Sequence, residues 1–169
     1  MLFTSYTFLF LFLPALLLCY FGLYRLGMRA RNGVLLLFSL VFYGVAKPAY
    51  LLLLFASIAL SYGFGLWIGR RREAGRRTGG VAFVAVALQA LLLGWFKYAD
   101  YTVGLVNGAL GLDLPLPEVV LPLGVSFYTF QGLSYLLDVR RGACRAQRNP
   151  LTVALYVALF PKLVMGPIA

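Results

Sequence analysis

The chain is 169 residues long, 62% hydrophobic and 12% charged, with a net charge of +10 and no histidine. Ordinary globular sequences sit near about 45–50% apolar and about 25% charged, and a soluble domain of this length cannot cover the excess apolar surface. An all-α, multi-pass transmembrane helical bundle can, because its apolar faces meet lipid and its backbone groups are satisfied inside helices. The positive charge does not mark a nucleic-acid binder. The twelve arginines fall in three clusters between long apolar runs: Arg25, Arg29 and Arg31; Arg70, Arg71, Arg72, Arg76 and Arg77; Arg140, Arg141, Arg145 and Arg148. Cytoplasmic loops look like this under the positive-inside rule.

Phe3 to Leu23 reads as a first span, retained because the start lacks both a basic region and a small-residue cleavage site. Its roughly 21 residues match the ~20 needed to cross the hydrocarbon. Pro14 is expected to kink it, and Tyr20 and Tyr24 to anchor its end before Arg25. Val34 to Ile68 would be roughly 52 Å long as one helix, too long for a single span. Lys47-Pro48 interrupts it, and proline disfavours helix at the residue before it. A hairpin follows, Val34–Ala46 and Ala49–Ile68, its first arm only about 20 Å long. Basic loops on both flanks require the even number of crossings that a hairpin supplies.

Gly80 to Phe96 is the next span, ending in the aromatic girdle from Trp95 to Tyr101. Lys97 and Asp100 are spaced to pair on one helical face there. Thr102 to Glu118 carries Gly104, Gly108, Gly111, Pro115 and Pro117 and reads as a broken, interfacial or re-entrant stretch. Val119 to Leu137 crosses back. Leu151 to Ile168 begins another membrane segment, broken at Pro161-Lys162, where Lys162 either snorkels to an interface or faces a cavity. About five or six membrane segments result, with the bundle incomplete. One orientation, N-terminus outside and every arginine cluster inside, satisfies all three clusters.

Val119–Leu137 is the most polar of these spans. At 100° per residue, Gly124, Tyr128, Gln131, Tyr135 and Asp138 fall within about 80° of one another. Lipid penalises such a stripe, so it faces protein or a water-filled cavity. It either lines a tunnel or makes interhelical hydrogen bonds. Asp138 is placed to pair with Arg140 or Arg141 and order the following loop. The Arg70–Arg77 cluster reads as a topology signal, with anionic headgroups as the alternative role.

No catalytic constellation is present. Cys19 and Cys144 are far apart and lack CxxC neighbours, so no metal site or redox pair is indicated. There is no Ser-His-Asp or Cys-His set, and the absence of histidine removes the commonest general base at neutral pH. No catalytic residue can be assigned within the chain.

Several runs nonetheless carry a family pattern: Asn32-Gly-Val-Leu-Leu-Leu37, Ser39-Leu-Val-Phe-Tyr43, Pro48 and Lys97-Tyr-Ala-Asp100. The pattern sharpens at Leu121–Gln131, Ser134-Tyr135 and Asp138–Gly142, and continues through Asn149 and Phe160–Ile168. The chain resembles the membrane-bound O-acyltransferase family, in its bacterial, alginate O-acetylase-like branch, over essentially all 169 residues. The resemblance implies the N-terminal part of a single membrane-embedded acyltransferase domain, residues 1–169, ending before the catalytic region. It implies a catalytic histidine beyond the matched part, an acyl donor from the cytoplasm and no cofactor bound in this chain. It further implies an extracytoplasmic polysaccharide acceptor such as alginate, accessory acetylation proteins as partners, and the bacterial inner membrane as the location. By that reading the chain alone is inactive. The alternatives are a small multi-pass membrane protein acting as an interaction module through its polar stripe, and a small transporter, which the lack of an inverted repeat disfavours.

Overall fold

A computed structural model describes residues 6–23, 25, 27–46, 49–110 and 124–165. Among these residues the regular elements are all helical. A π-helical turn, Phe8–Phe12, leads into α1, Leu13–Gly22; then come α2, Met28–Ala46; α3, Ala49–Glu73; α4, Gly79–Leu110; α5, Val125–Arg141; α6, Pro150–Ala158; and α7, Phe160–Met165. Three stretches are long and apolar enough to cross a membrane: Met28–Val45, Tyr50–Glu73 and Gly79–Tyr98. Phe8–Gly22 and Pro150–Lys162 are shorter apolar helices. The protein is a helical membrane protein.

The wide turn at Phe8–Phe12 is how the first helix carries Pro14. Proline has no N–H to donate one turn back and its ring crowds that carbonyl. Leu13 N–H bonds to Phe8 O, five residues back, which widens the turn just before the proline.

The hairpin arms are longer than the hydropathy alone indicates. α2 starts at Met28, so Arg29 and Arg31 lie in its first turn, and its 19 residues reach about 28 Å, enough to span. Cations at a helix start oppose the macrodipole. Arg31 is instead held over the Tyr20 ring, 4.1 Å from its centroid. α3 runs past Ile68 to Glu73 because Arg70, Arg71 and Arg72 suit a helix C-terminus. Lys47 and Pro48 lie outside the described residues.

α4 corrects the expected break after Phe96. It continues as helix through Thr102 to Leu110, 32 residues in all. Isolated glycines cost a helix only about 1 kcal/mol each, and the prolines that do break helices come later. Thr102 Oγ1 bonds back to Tyr98 O at 2.8 Å. Residues 111–123 lie outside the described residues, as does the Asp100 side chain, so the expected Lys97–Asp100 pair falls there too. The exposed Lys97 sits with its Nζ 5.4 Å from the Tyr98 ring centroid. The last segment breaks at Leu159, two residues ahead of Pro161, where the backbone turns extended. The Phe160 N–H bonds to the buried Ser39 Oγ at 3.2 Å, the kind of side-chain rescue that a helix break at membrane depth requires. Lys162 is half-buried, its Nζ 4.8 Å from the Tyr156 ring centroid.

Contacts fix the directions. Phe8 and Phe12 meet Phe42 and Phe38, and Tyr20 meets Arg31, so the first helix runs antiparallel to α2. On α3, Ser61, Gly65 and Arg72 face Gly132, Tyr135 and Gly142 in steady register, so α3 and α5 run parallel. α4 lies antiparallel to both, with Gly79 near Arg140 and Gln89 beside Ser57, Ser61 and Gly132. The starts of α2 and α4 and the ends of α3 and α5 therefore share one end of the bundle, and the arginines gather there.

Two packed regions result. One joins Leu54, Ile58 and Ile68 of α3 to Ala85, Leu136, Val139 and Val157. The other is aromatic: Phe8 stacks on Phe12 at 5.3 Å, and both meet Phe42 and Phe160 in edge-to-face and tilted contacts at 5.7–6.1 Å. The small residues between α3 and α5 allow the first region to close. A Cβ on Gly132 would lie 2.5 Å from Ser61 Oγ and 2.9 Å from Gln89 Nε2. Gly132→Val should therefore destabilise the bundle by about 1–3 kcal/mol, the usual range for overpacking. Gly63→Val, where the Cβ meets open space, should leave stability unchanged. Unfolding of both variants in mixed detergent micelles measures the difference, and equal loss in both would remove the seam as its cause.

Candidate functional site

α5 is delimited by two left-handed glycines, Gly124 at φ 76° and Gly142 at φ 84°, a conformation that glycine adopts without steric cost. Gly142 and Ala143 N–H groups both bond to Asp138 O, at 2.9 and 3.0 Å, and close the helix end. The backbone of Asp138 thus orders the following loop. Its carboxylate makes no ion pair with Arg140 or Arg141 among the described residues, contrary to the pairing that their spacing invites.

The polar stripe turns inward. Tyr128 is fully buried, Gln131 and Tyr135 nearly so, and Asp138 is half-buried, while Phe130 and Ser134 on the other side are exposed. Each stripe residue has a distinct environment. The Tyr128 ring meets Tyr43 of α2 edge-on, centroids 6.3 Å apart. The Tyr128 and Tyr43 hydroxyls and Thr129 Oγ1 are buried without a hydrogen-bond partner among the described residues. Tyr135 is accommodated by Gly65, where a Cβ would come within 2.6 Å of its ring. Its hydroxyl accepts from Gln147 N–H at 3.0 Å and pins the loop before α6. Asp138 lines a cavity of about 280 Å³ with Tyr135, Cys144, Arg145 and Tyr156.

Tyr128 therefore belongs to the interior, whereas Tyr135 and Asp138 border the arginine end. Burial raises the Cys144 thiol above its ordinary range, and the nearby Asp138 charge raises it further. The group is a poor nucleophile at neutral pH.

One polar cluster has no counterpart in the sequence reading. Gln89, fully buried in α4, donates to Ser57 O at 3.2 Å and to Ser61 Oγ at 2.9 Å. It accepts from Ser57 Oγ at 3.2 Å, and Ser61 Oγ donates to Ser57 O at 2.8 Å. The signal was present. Gln89 is the one strongly polar residue within Val81–Phe96, and Ser57 and Ser61 are one turn apart. Fully paired, the cluster ties α3 to α4 and leaves few of its polar atoms free for chemistry.

No protein-family model matches the chain, and no solved structure does. Curated relatives do. The Pseudomonas syringae pv. tomato protein named "Probable alginate O-acetylase AlgI" is 40% identical over 176 residues, covering 99% of this chain and 33% of that protein. The Pseudomonas putida protein of the same name is 42% identical, covering 99% of this chain and 35% of that protein. The Helicobacter pylori "Peptidoglycan O-acetyltransferase" is 30% identical, again over 99% of this chain and 37% of that protein. The chain spans about a third of the length of the curated relatives it matches, and along that third it is similar, nearly end to end, to the alginate O-acetylases its motifs resemble.

Proposed function

We propose that residues 1–169 form part of the membrane-embedded domain of an O-acetyltransferase, one that passes an acetyl group from a cytoplasmic donor to an extracytoplasmic polysaccharide. The observation that carries this reading is identity near 40% to alginate O-acetylases across 99% of the chain. Alginate is the acceptor we favour. The more distant similarity to a peptidoglycan O-acetyltransferase keeps the acceptor class as a polymer built of sugars. Accessory acetylation proteins would be its partners. The arginine end would face the cytoplasm across a bacterial inner membrane, as the positive-inside rule requires, and the N-terminus would lie outside.

The inward polar face of α5 is the contribution of this part to transfer. Tyr128 and Thr129 offer buried hydroxyls that lipid would penalise, and such groups are retained where they meet a polar path or partner. Neither can act as a base at neutral pH, and the chain has no histidine. On the resemblance to the acyltransferase family, the proton-accepting group comes from elsewhere in the complete enzyme, and residues 1–169 alone transfer no acetyl group.

A chimera tests this. Residues 1–169 replace the matching third of the Pseudomonas aeruginosa alginate O-acetylase in cells lacking that enzyme, and ester-linked acetyl on secreted alginate is measured. The chimera should restore acetylation while residues 1–169 alone give none. A chimera that inserts in the membrane yet leaves alginate bare would refute the assignment. Within the chimera, Tyr128→Phe should lower acetylation several-fold at unchanged protein level, whereas Phe130→Leu on the exposed side should not. Equal activity in the two variants would remove the α5 face from the reaction.

A further inference from the structure

The end of the bundle where α3 finishes carries more positive charge than Glu73 and Asp138 can neutralise. Two adjoining cavities lie there, of about 390 and 320 Å³. Gly69, Glu73 and Ala146 wall both. Arg70 and Arg148 line the larger, and Arg72 and Arg145 the smaller. Four arginines thus share these two cavities with the Glu73 carboxylate, and among the described residues no ion pair joins Glu73 to any of them.

The frame of the larger cavity is fixed without using those charges. Gly69 lies against Ala146 so closely that a Cβ there would collide with it. The Tyr62 hydroxyl donates to Arg148 O at 2.9 Å and sets the backbone from which Arg148 projects. Asn149 Oδ1 accepts from Leu151 N–H at 3.0 Å and fastens the same loop to α6. Arg72 lies against Gly142, where any side chain would displace it. Trp67, one turn before Arg70 and Arg71, carries the Arg71 guanidinium 5.4 Å from its ring centroid. A tryptophan under arginines is the usual mark of the apolar–polar boundary of a membrane.

Like charges gathered around a preformed cavity repel, and a multivalent oxyanion relieves that repulsion. The guanidinium fork matches phosphate oxygens in pairs. The geometry points to a binding site for a phosphate group in the larger cavity, with Arg70 and Arg148 as its donors, Tyr62 holding Arg148 in place and Glu73 limiting the affinity. The phosphate belongs to an anionic lipid headgroup or to a soluble phosphorylated molecule, and both sources share this chemistry. The site stands apart from the α5 face and does not depend on the acetyl-transfer reading.

The test uses the 169-residue chain in detergent, examined by native mass spectrometry while titrated with phosphatidylglycerol, phosphatidylcholine or inorganic pyrophosphate. Wild type, Arg70→Gln/Arg148→Gln and Glu73→Gln are compared. Wild type should retain phosphatidylglycerol or pyrophosphate, the double variant should bind that probe roughly tenfold more weakly or worse, and Glu73→Gln should bind it several-fold more tightly. Retention of phosphatidylglycerol unaffected by pyrophosphate assigns the site to lipid, and displacement by pyrophosphate assigns it to a soluble phosphate. Retention of neither probe, or equal retention of both lipids by all three proteins, overturns the proposal. Glu73 is exposed, so Glu73→Gln decides the matter even if the double variant fails to insert. Binding no tighter than wild type would then count against the site.

Discussion

The bundle depends on the close approach of α3 and α5. Ser57, Ser61, Gly65 and Gly69 recur every fourth residue, so they line one side of α3. Three of them receive a specific partner: Ser61 takes Gly132, Gly65 takes the Tyr135 ring, and Gly69 takes Ala146. In lipid there is no hydrophobic drive to bring helices together, since lipid tails are as apolar as leucine. Association then rests on dispersion contacts between backbones that small residues allow to meet, and on polar groups paired across the gap. The Gln89–Ser57–Ser61 cluster supplies the pairing at the same height where Gly132 supplies the space. The inward direction of the α5 polar face is a result of this seam, because the side of α5 that docks on α3 and α4 includes Gln131, Gly132 and Tyr135.

A second constraint is that every interruption of a helix at membrane depth must be satisfied locally. The protein meets it in two different ways. At Pro14 the preceding turn widens, so Leu13 bonds five residues back and the chain continues as helix. At Leu159 the chain leaves helical geometry altogether, and a hydroxyl from α2 takes up the Phe160 N–H. The two interruptions sit close together in space, where Phe8 and Phe12 flank Phe160. The aromatic cluster keeps water from the place where the backbone is least regular.

Much of this was legible in the sequence. The arginine clusters marked helix ends that gather at one end of the bundle, Lys47-Pro48 marked the division between α2 and α3, and the 100° spacing of Tyr128, Gln131, Tyr135 and Asp138 identified the side of α5 that turns inward. The misses have physical causes. Hydropathy stops at the first arginine, whereas a helix does not, so α2 and α3 each extend into their basic ends. Glycines at 104 and 108 read as a break, but a single glycine in an apolar run costs too little to end a helix. The expected ion pair of Asp138 was an argument from chain proximity, and the structure uses the backbone carbonyl of that residue instead. Gln89 went unread because one polar residue in a long apolar run has no periodicity, and its meaning appears only when Ser57 and Ser61 stand opposite.

The regular spacing of the α3 seam has one further consequence. Small residues that repeat every turn form a rail of equivalent notches, about 6 Å apart. A rail alone would accept α5 at more than one height. Two irregular marks choose among them: Gly132 of α5, which leaves room for the Ser61 hydroxyl and the Gln89 amide, and Gly142, which leaves room for Arg72. The notches hold the helices together and the marks determine alignment. The two marks lie toward opposite ends of the α3–α5 contact, so α5 is held against sliding at both.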